Sequence, residues 1–308
     1  VAFGVGEPTC LATSDRSRKD AVMRLSSPTT RRFHLGLWGG LLTSAGGIEK
    51  ALAAARADLT DPETKLDALI RLRCRADGHP TFIQYQGTIF GKREGEKAAP
   101  LFGVIGSSWS KASRAGPGRY ALVTTEAGYF TDLSSGAVLE HWVNPLNGLD
   151  TTVKHYKSTQ KLLVLADRVE SIRGRPLPEG FEYTGIVPPA VVIGDQLWMS
   201  EDLLVRIPSP AKASFSDPRE YFGPFTTATS LASWTAPLSS VMSARRSFVG
   251  CTLAYQTLGS WRPFMLMGDA PGLISWRMYG LKLEQFQQIG PGLRSRILAD
   301  HPDFLDGA

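Results

Sequence analysis

TTEAGYFTDLSSGAVLEHWVNPLNG, residues 124–148, reads as two runs of alternating polarity around Leu133-Ser134-Ser135-Gly136, closed by Asn144-Pro145-Leu146-Asn147-Gly148. Short alternating runs bounded by Gly, Pro, Asn and Ser mark antiparallel strands. A four-residue hairpin loop sets Asp132 opposite Ala137, and the period of two then sets Gly128 opposite His141. One face carries Glu126, Phe130, Leu139, His141 and Val143, and the other carries Tyr129, Glu140 and Trp142.

Working outward, the same strand-and-turn pattern recurs in Thr81–Gly91, Leu101–Trp109, Arg119–Asp132, Ala137–Val143, Thr151–Tyr156 and Lys161–Ala166. It continues in Ala190–Ile193, Gln196–Ile207, Ser247–Leu258 and Leu273–Leu283. Asp61-Pro62-Glu63 supplies an N-cap, a first-turn proline and an acid, so a short helix is expected to about Ala68. Ile70, Leu72, Cys74 and Ala76 then alternate with Arg71, Arg73, Arg75 and Asp77, the pattern of a strand. A helix is expected near Ala228–Trp234, within an irregular region from Pro208 to Ser243, and short outer helices over Leu283–Leu305. About eleven strands joined by short turns predict a mainly β fold, an antiparallel β-barrel or barrel-like sandwich with short peripheral helices. No linker or repeat divides residues 58–308, which are expected to form a single domain.

The 308 residues carry a net charge of +5, but residues 1–57 hold eight of the 34 basic residues against four of the 29 acidic ones, which leaves +1 downstream. The basicity belongs to the leader, and a nucleic-acid surface is not expected. Thr30-Arg31-Arg32-Phe33-His34-Leu35 resembles a twin-arginine export motif, with His34 where Phe is usual and no Lys after Leu35. The apolar run Leu35–Ile48 is shorter than the ~20 residues of a membrane-spanning helix, and small-residue cleavage sites follow at Ala51–Ala55. Residues 1–57 are therefore expected to be an export leader engaging the twin-arginine machinery, with no stable membrane anchor after cleavage and a periplasmic or secreted product. Synthesis is expected to begin at Met23, leaving residues 1–22 untranslated. Cys74 and Cys251 allow one disulfide, but passage through a reducing cytoplasm in the folded state favours two buried thiols.

In the predicted hairpin Glu126 and His141 become diagonal neighbours in apolar company, a candidate acid/base pair. The plainer alternative is a structural ion pair or a histidine bonded to a backbone carbonyl. Tyr129 and Asn144 would orient polar groups of a ligand, although the Asn144–Gly148 loop is mostly turn chemistry. Trp261–Gly272, WRPFMLMGDAPG, is too apolar for a solvated loop: it either plugs a barrel end or lines a pocket with Trp261, Met265 and Met267. Trp142 would add an apolar wall. Trp198 and Glu201 are weaker candidates, as core and rim respectively.

Four histidines downstream of the leader, without a paired spacing or Cys pair, support no metal site, and no phosphate loop or Gly-x-Ser-x-Gly motif is present. No cofactor is expected. These residues suit a lyase, isomerase or hydrolase acting on an apolar or aromatic small molecule, or else a periplasmic binding or interaction protein without catalysis.

Gly87, the Leu-Glu-x-Trp-x-Asn-Pro core within Tyr129–Pro145, and the Met-Gly-x-x-Pro-Gly and Gly-x-Lys of Trp261–Lys282 resemble domain-of-unknown-function family 1838, a largely exported bacterial family. The resemblance spans nearly all of the chain after the leader. Asn147 stands where a Thr commonly precedes the glycine in that family, and Leu146 replaces an aromatic residue. The resemblance implies export and the domain boundaries, and no particular activity.

Overall fold

Ten strands hydrogen-bonded in a ring form the wall of this protein. The computed structural model describes residues 59–172 and 179–308; residues 1–57, expected to be an export leader, lie outside the described residues. In chain order the strands are β1 (Thr81–Arg93), β2 (Ala99–Gly116), β3 (Arg119–Thr131), β4 (His141–Val143), β5 (Asp150–Thr152), β6 (Tyr156–Val164) and β7 (Arg168–Ser171). They continue with β8 (Glu182–Ile186), β9 (Val191–Ile193), β10 (Gln196–Pro208), β11 (Phe225–Pro237), β12 (Thr252–Gly259) and β13 (Gly272–Leu283). The sheet order is β11-β12-β13-β1-β2-β3-β6-β7-β8-β10, and β10 pairs with β11 along its whole length to close the barrel. Every pairing is antiparallel. β9 adds one short strand to β10, and β4 pairs only with β5.

Because side chains alternate across a strand, the registers assign the lumen. Ile83, Tyr85, Gly87 and Ile89 of β1 pair with Ser108, Gly106, Val104 and Phe102 of β2, and Ser108 pairs in turn with Glu126 of β3. All of these point inward. The outer face of the β1–β3 wall is also covered, because α3 (Pro291–Asp300), which follows the short α2 (Leu238–Val241) in the chain, and the segments on either side of it lie over Phe82, Trp109, Ala127 and Tyr129.

The barrel mouths are filled by two different devices. At one end sits α1 (Pro62–Arg73), capped by Asp61, which accepts from the Thr64 N–H at 2.9 Å. Leu66, Leu69 and Leu72 are fully buried against inward residues of the wall, among them Leu122, Leu197 and Met199. At about 1.5–3 kcal/mol per buried side chain, this face alone holds the helix in the mouth. Its last carbonyls find donors in the barrel: Lys282 Nζ donates to Arg71 O (2.7 Å) and Cys74 O (2.6 Å), and Cys251 Sγ donates to Leu72 O (3.2 Å). Cys74 and Cys251 are free, buried thiols, pushed up to about 11 by burial.

At the other end the segment after β12 folds inward. Trp261, Phe264, Met265 and Met267 pack on Phe102, Phe130 and Trp276, so this segment plugs the barrel. Leu266 adopts a left-handed backbone (φ 54°), which turns the chain at the tip of the plug.

Three expectations are corrected. The strand expected at Ile70–Ala76 is the continuation of α1: Leu66, Leu69, Ile70 and Arg73 follow the helical spacing, and Arg71 and Arg73, which look like a solvated face, have partners inside the protein. The helix expected at Ala228–Trp234 is the middle of β11, whose inward residues Ala228, Ser230, Ala232 and Trp234 alternate with Thr229, Leu231 and Ser233. The hairpin turn has the expected register, with Asp132 N donating to Ala137 O (2.8 Å) and Leu139 N to Phe130 O (3.0 Å). Its second arm then leaves β3, and β6 takes the place beside it, with Gly128 opposite Tyr156 instead of His141.

Candidate functional site

The lumen between the two fillings keeps a cavity of about 150 Å³. Its walls are unequal. Ser108, Ser110, Thr124 and Gln160 supply polar groups on the β2–β3–β6 side, while Ile83, Leu203, Ala232, Leu253 and Met278 face them. Two carboxylates reach the cavity, Glu126 and Glu201.

Their surroundings differ. Glu201, 1% exposed, is held by Arg73 of α1 (Nη1–Oε1 2.5 Å), and this ion pair counters the upward push of burial on its pKa. Glu126 is half-buried, and among the described residues no ion pair neutralises it. Burial raises its pKa; the Tyr85 hydroxyl, the Arg262 guanidinium and the Tyr156 hydroxyl face it and oppose that rise. Arg262 descends from the plug, with its guanidinium carbon 5.0 Å from the Trp276 ring centre and 5.9 Å from that of Tyr156. Desolvation lowers its pKa, which the neighbouring Tyr156 and Glu126 counteract.

Tyr85 and Tyr156 owe their positions to glycine. Along one rung of the sheet Tyr85, Gly106, Gly128 and Tyr156 lie side by side on β1, β2, β3 and β6. A Cβ on Gly106 would lie 2.2 Å from the Tyr85 hydroxyl, and one on Gly128 would lie 2.3 Å from the Tyr156 hydroxyl. Each ring therefore lies across a glycine, and the two hydroxyls meet at 2.8 Å. Burial pushes both phenols well above their ordinary range, so they stay protonated. Across the lumen, Tyr255 donates to Ser230 (3.0 Å), whose hydroxyl meets that of Thr257 at 2.9 Å.

Of the residues singled out from sequence, Glu126 alone among the expected catalytic group faces this cavity. His141 is exposed on β4, opposite Thr152, because its strand leaves β3; the expected Glu126–His141 pair does not form. Tyr129 points to the outer face, packed against His155 (ring centres 5.2 Å apart) beneath Arg296 of α3. Its hydroxyl is pushed up to about 12, by burial first.

Asn144 is wholly buried and structural: its Nδ2 donates to Met265 O (2.7 Å), and its Oδ1 accepts from Leu146 N (2.9 Å). Asn147 donates to Met265 O and Leu266 O (3.1 and 3.0 Å), so the loop clamps the turn of the plug. Trp142, Trp261, Met265 and Met267 belong to the plug core, Trp142 through its edge contact with Phe102 at 5.0 Å. Trp198 lies on the outer side between inward-facing Leu197 and Met199, while Glu201 is interior, which reverses the expected core and rim roles. Tyr85, Tyr156 and Arg262 were not singled out by sequence; the inward parity of Tyr85 with Gly87 was the available signal.

Three larger concavities, of about 540, 530 and 420 Å³, are grooves on the outer surface. Of the carboxylates among their described linings, Asp132 is taken up by the hairpin turn, accepting from Ser134 and Ser135, and Glu284 accepts from Arg75 (2.6 Å). Among the described residues no group of three or more His, Cys, Asp or Glu is placed to hold a metal ion.

The fold and site define a closed antiparallel barrel with a glutamate-bearing lumen. The chain matches the family described as "Protein of unknown function (DUF1838)" over residues 78–307, and it belongs to that family. No curated protein matches it.

Proposed function

We propose that this is an exported protein whose lumen binds an uncharged, largely apolar small molecule and moves a proton on it through Glu126, without a cofactor. One observation carries the reading: of two carboxylates lining one cavity, Glu201 is buried and neutralised by an arginine, while Glu126 is half-buried and has no ion pair among the described residues. A structural carboxylate inside a protein is ordinarily paired, and a raised pKa suits a group that exchanges protons near neutrality. A volume near 150 Å³ holds a ligand about the size of benzene. The polar and apolar walls favour a ring with oxygen substituents on one edge.

The filling of both barrel mouths supports a second reading, a carrier that sequesters the same ligand without chemistry. Ligand-observed NMR with small ring compounds, run on the wild type, Ala232→Leu and Glu126→Gln, tests both. Binding that disappears in Ala232→Leu, with turnover that disappears in Glu126→Gln, supports the first. Binding lost in Ala232→Leu with no turnover in the wild type supports the carrier. Binding insensitive to Ala232→Leu places the ligand outside the lumen and sinks both. Export rests on the Arg31-Arg32 leader, and replacing both with Lys should leave the protein in the cytoplasm on cell fractionation.

A further inference from the structure

We propose that the lumen performs keto–enol chemistry: the substrate is a small carbonyl compound with an acidic C–H beside the carbonyl, Glu126 removes that proton, and the Tyr85–Tyr156 hydroxyl pair holds the carbonyl oxygen. This rests on the lumen reading above and adds the substrate class and the group that receives the charge.

The glycine rung is the observation that carries it. Gly106 and Gly128 sit directly opposite each other, each overlaid by a tyrosine from the strand beyond, and the hydroxyls meet over the middle of the rung. Glu126 is the next inward residue of β3 after Gly128. The strands thus bring a carboxylate and the Tyr85 hydroxyl, backed by that of Tyr156, to the wall of a cavity that has room for a ligand.

Proton counting sharpens the assignment. Two hydroxyls hold two protons; one is used between them, and the other, carried by Tyr85, reaches only the Ala127 carbonyl at 3.5 Å, a long bond that a better acceptor displaces. The hydroxyl that donates within the pair polarises its partner and strengthens the outward bond. A carbonyl oxygen arriving in the cavity competes with the Ala127 carbonyl for the Tyr85 proton, while Glu126, which lines the same cavity, is placed to meet the C–H beside the carbonyl.

In the reaction the C–H bond breaks and its proton goes to Glu126. The freed electron pair forms the C=C bond to the carbonyl carbon, and the C=O π pair moves to oxygen, where the tyrosine hydroxyl donates to it. The Arg262 charge, on the plug side of Tyr156, adds to the stabilisation of that oxyanion. Where the substrate also carries a β,γ double bond, that π pair takes the proton from Glu126 at the γ carbon, the new C=C pair shifts to the α,β position and the oxyanion pair re-forms C=O, giving the conjugated isomer; when Glu126 first trades its proton with solvent, return to the original carbon gives exchange. No oxidant, reductant or metal is needed for the balance.

The test uses 3-cyclohexen-1-one with the purified chain, following the absorbance of conjugated 2-cyclohexen-1-one and deuterium uptake from heavy water, alongside ligand-observed NMR for binding of the ketone, cyclohexanol and phenol. The wild type is expected to accelerate isomerisation and exchange, Glu126→Gln to abolish both, and Tyr85→Phe and Tyr156→Phe each to slow them by about 10²-fold with little change in ketone affinity. Thermal melts confirm that the variants are folded, and the exchange measurement on the wild type needs no variant. Ketone that binds without isomerisation or exchange above buffer, or a rate unmoved by either Tyr→Phe change, overturns the keto–enol assignment while the lumen site stands. Failure of all three ring compounds to bind overturns the lumen reading itself.

Discussion

Glu126 stands where an apolar residue would serve stability better. Its folded-state pKa is raised, so the folded protein holds this proton more tightly than the unfolded chain does. Its contribution to stability is fully present at acid pH and is lost as pH rises through the raised value. Glu126→Gln removes the charge and keeps the shape. The variant is expected to gain on the order of 1 kcal/mol at pH 7, seen as ~2–4 °C in the thermal midpoint, and to show no gain near pH 4. Melts of both proteins at the two pH values check this; an equal or lower midpoint for the variant at pH 7 would mean that Arg262 and the tyrosines already offset the charge. Glu126 was legible in the sequence because it interrupts an apolar face. Its partners were not, since Tyr85, Tyr156 and Arg262 come from β1, β6 and the plug, which only the closed sheet brings together.

At the scale of the element, the departures from the sequence reading have physical causes. β11 carries small and hydroxylated residues toward a partly polar lumen, which removes the contrast that makes a strand visible, while Ala228, Leu231, Ala232 and Trp234 imitate helical spacing. α1 fills a barrel mouth, so Arg73 has an interior partner in Glu201 while Arg71 bonds the backbone carbonyl of Arg246, and the polarity pattern of the helix does not report exposure. The hairpin turn was legible from its residues, whereas its second arm was displaced because Tyr156, lying over Gly128, brings β6 alongside β3. Gly128→Ala should therefore force the Tyr156 ring aside and destabilise the protein by about 1–3 kcal/mol in urea unfolding. An effect within experimental error would show that the ring moves freely. Asn144→Ala leaves the Met265 carbonyl with Asn147 alone and should cost about 1–3 kcal/mol, with faster amide exchange confined to the plug and the β4–β5 hairpin. Exchange accelerated throughout the barrel would contradict a local clamp.

For the molecule as a whole, the broad architecture was legible from turn residues and alternation, since short strands in series close most simply into an antiparallel barrel. The free thiols have a consequence for handling. Cys74 and Cys251 are buried and protonated, so the midpoint of unfolding is expected to be the same with and without reductant, and labelling by a thiol reagent should occur only on unfolding. A midpoint that drops on reduction would reveal a disulfide.

The lumen reaches solvent beside the exposed Gln160 of β6, and the wall is not equally strong around its circumference. β7 is joined to β6 by three residue pairs and to β8 by two, whereas β10 and β11 are joined along their whole length. Separation of so short a seam is the least costly opening among the described strands, and amides of 168–171 and 182–186 should exchange first in a time course. The barrel is thus expected to breathe on the side of β6, where Gln160 already lines the lumen, and a ring compound larger than the resting cavity should enter there, at a rate set by the seam.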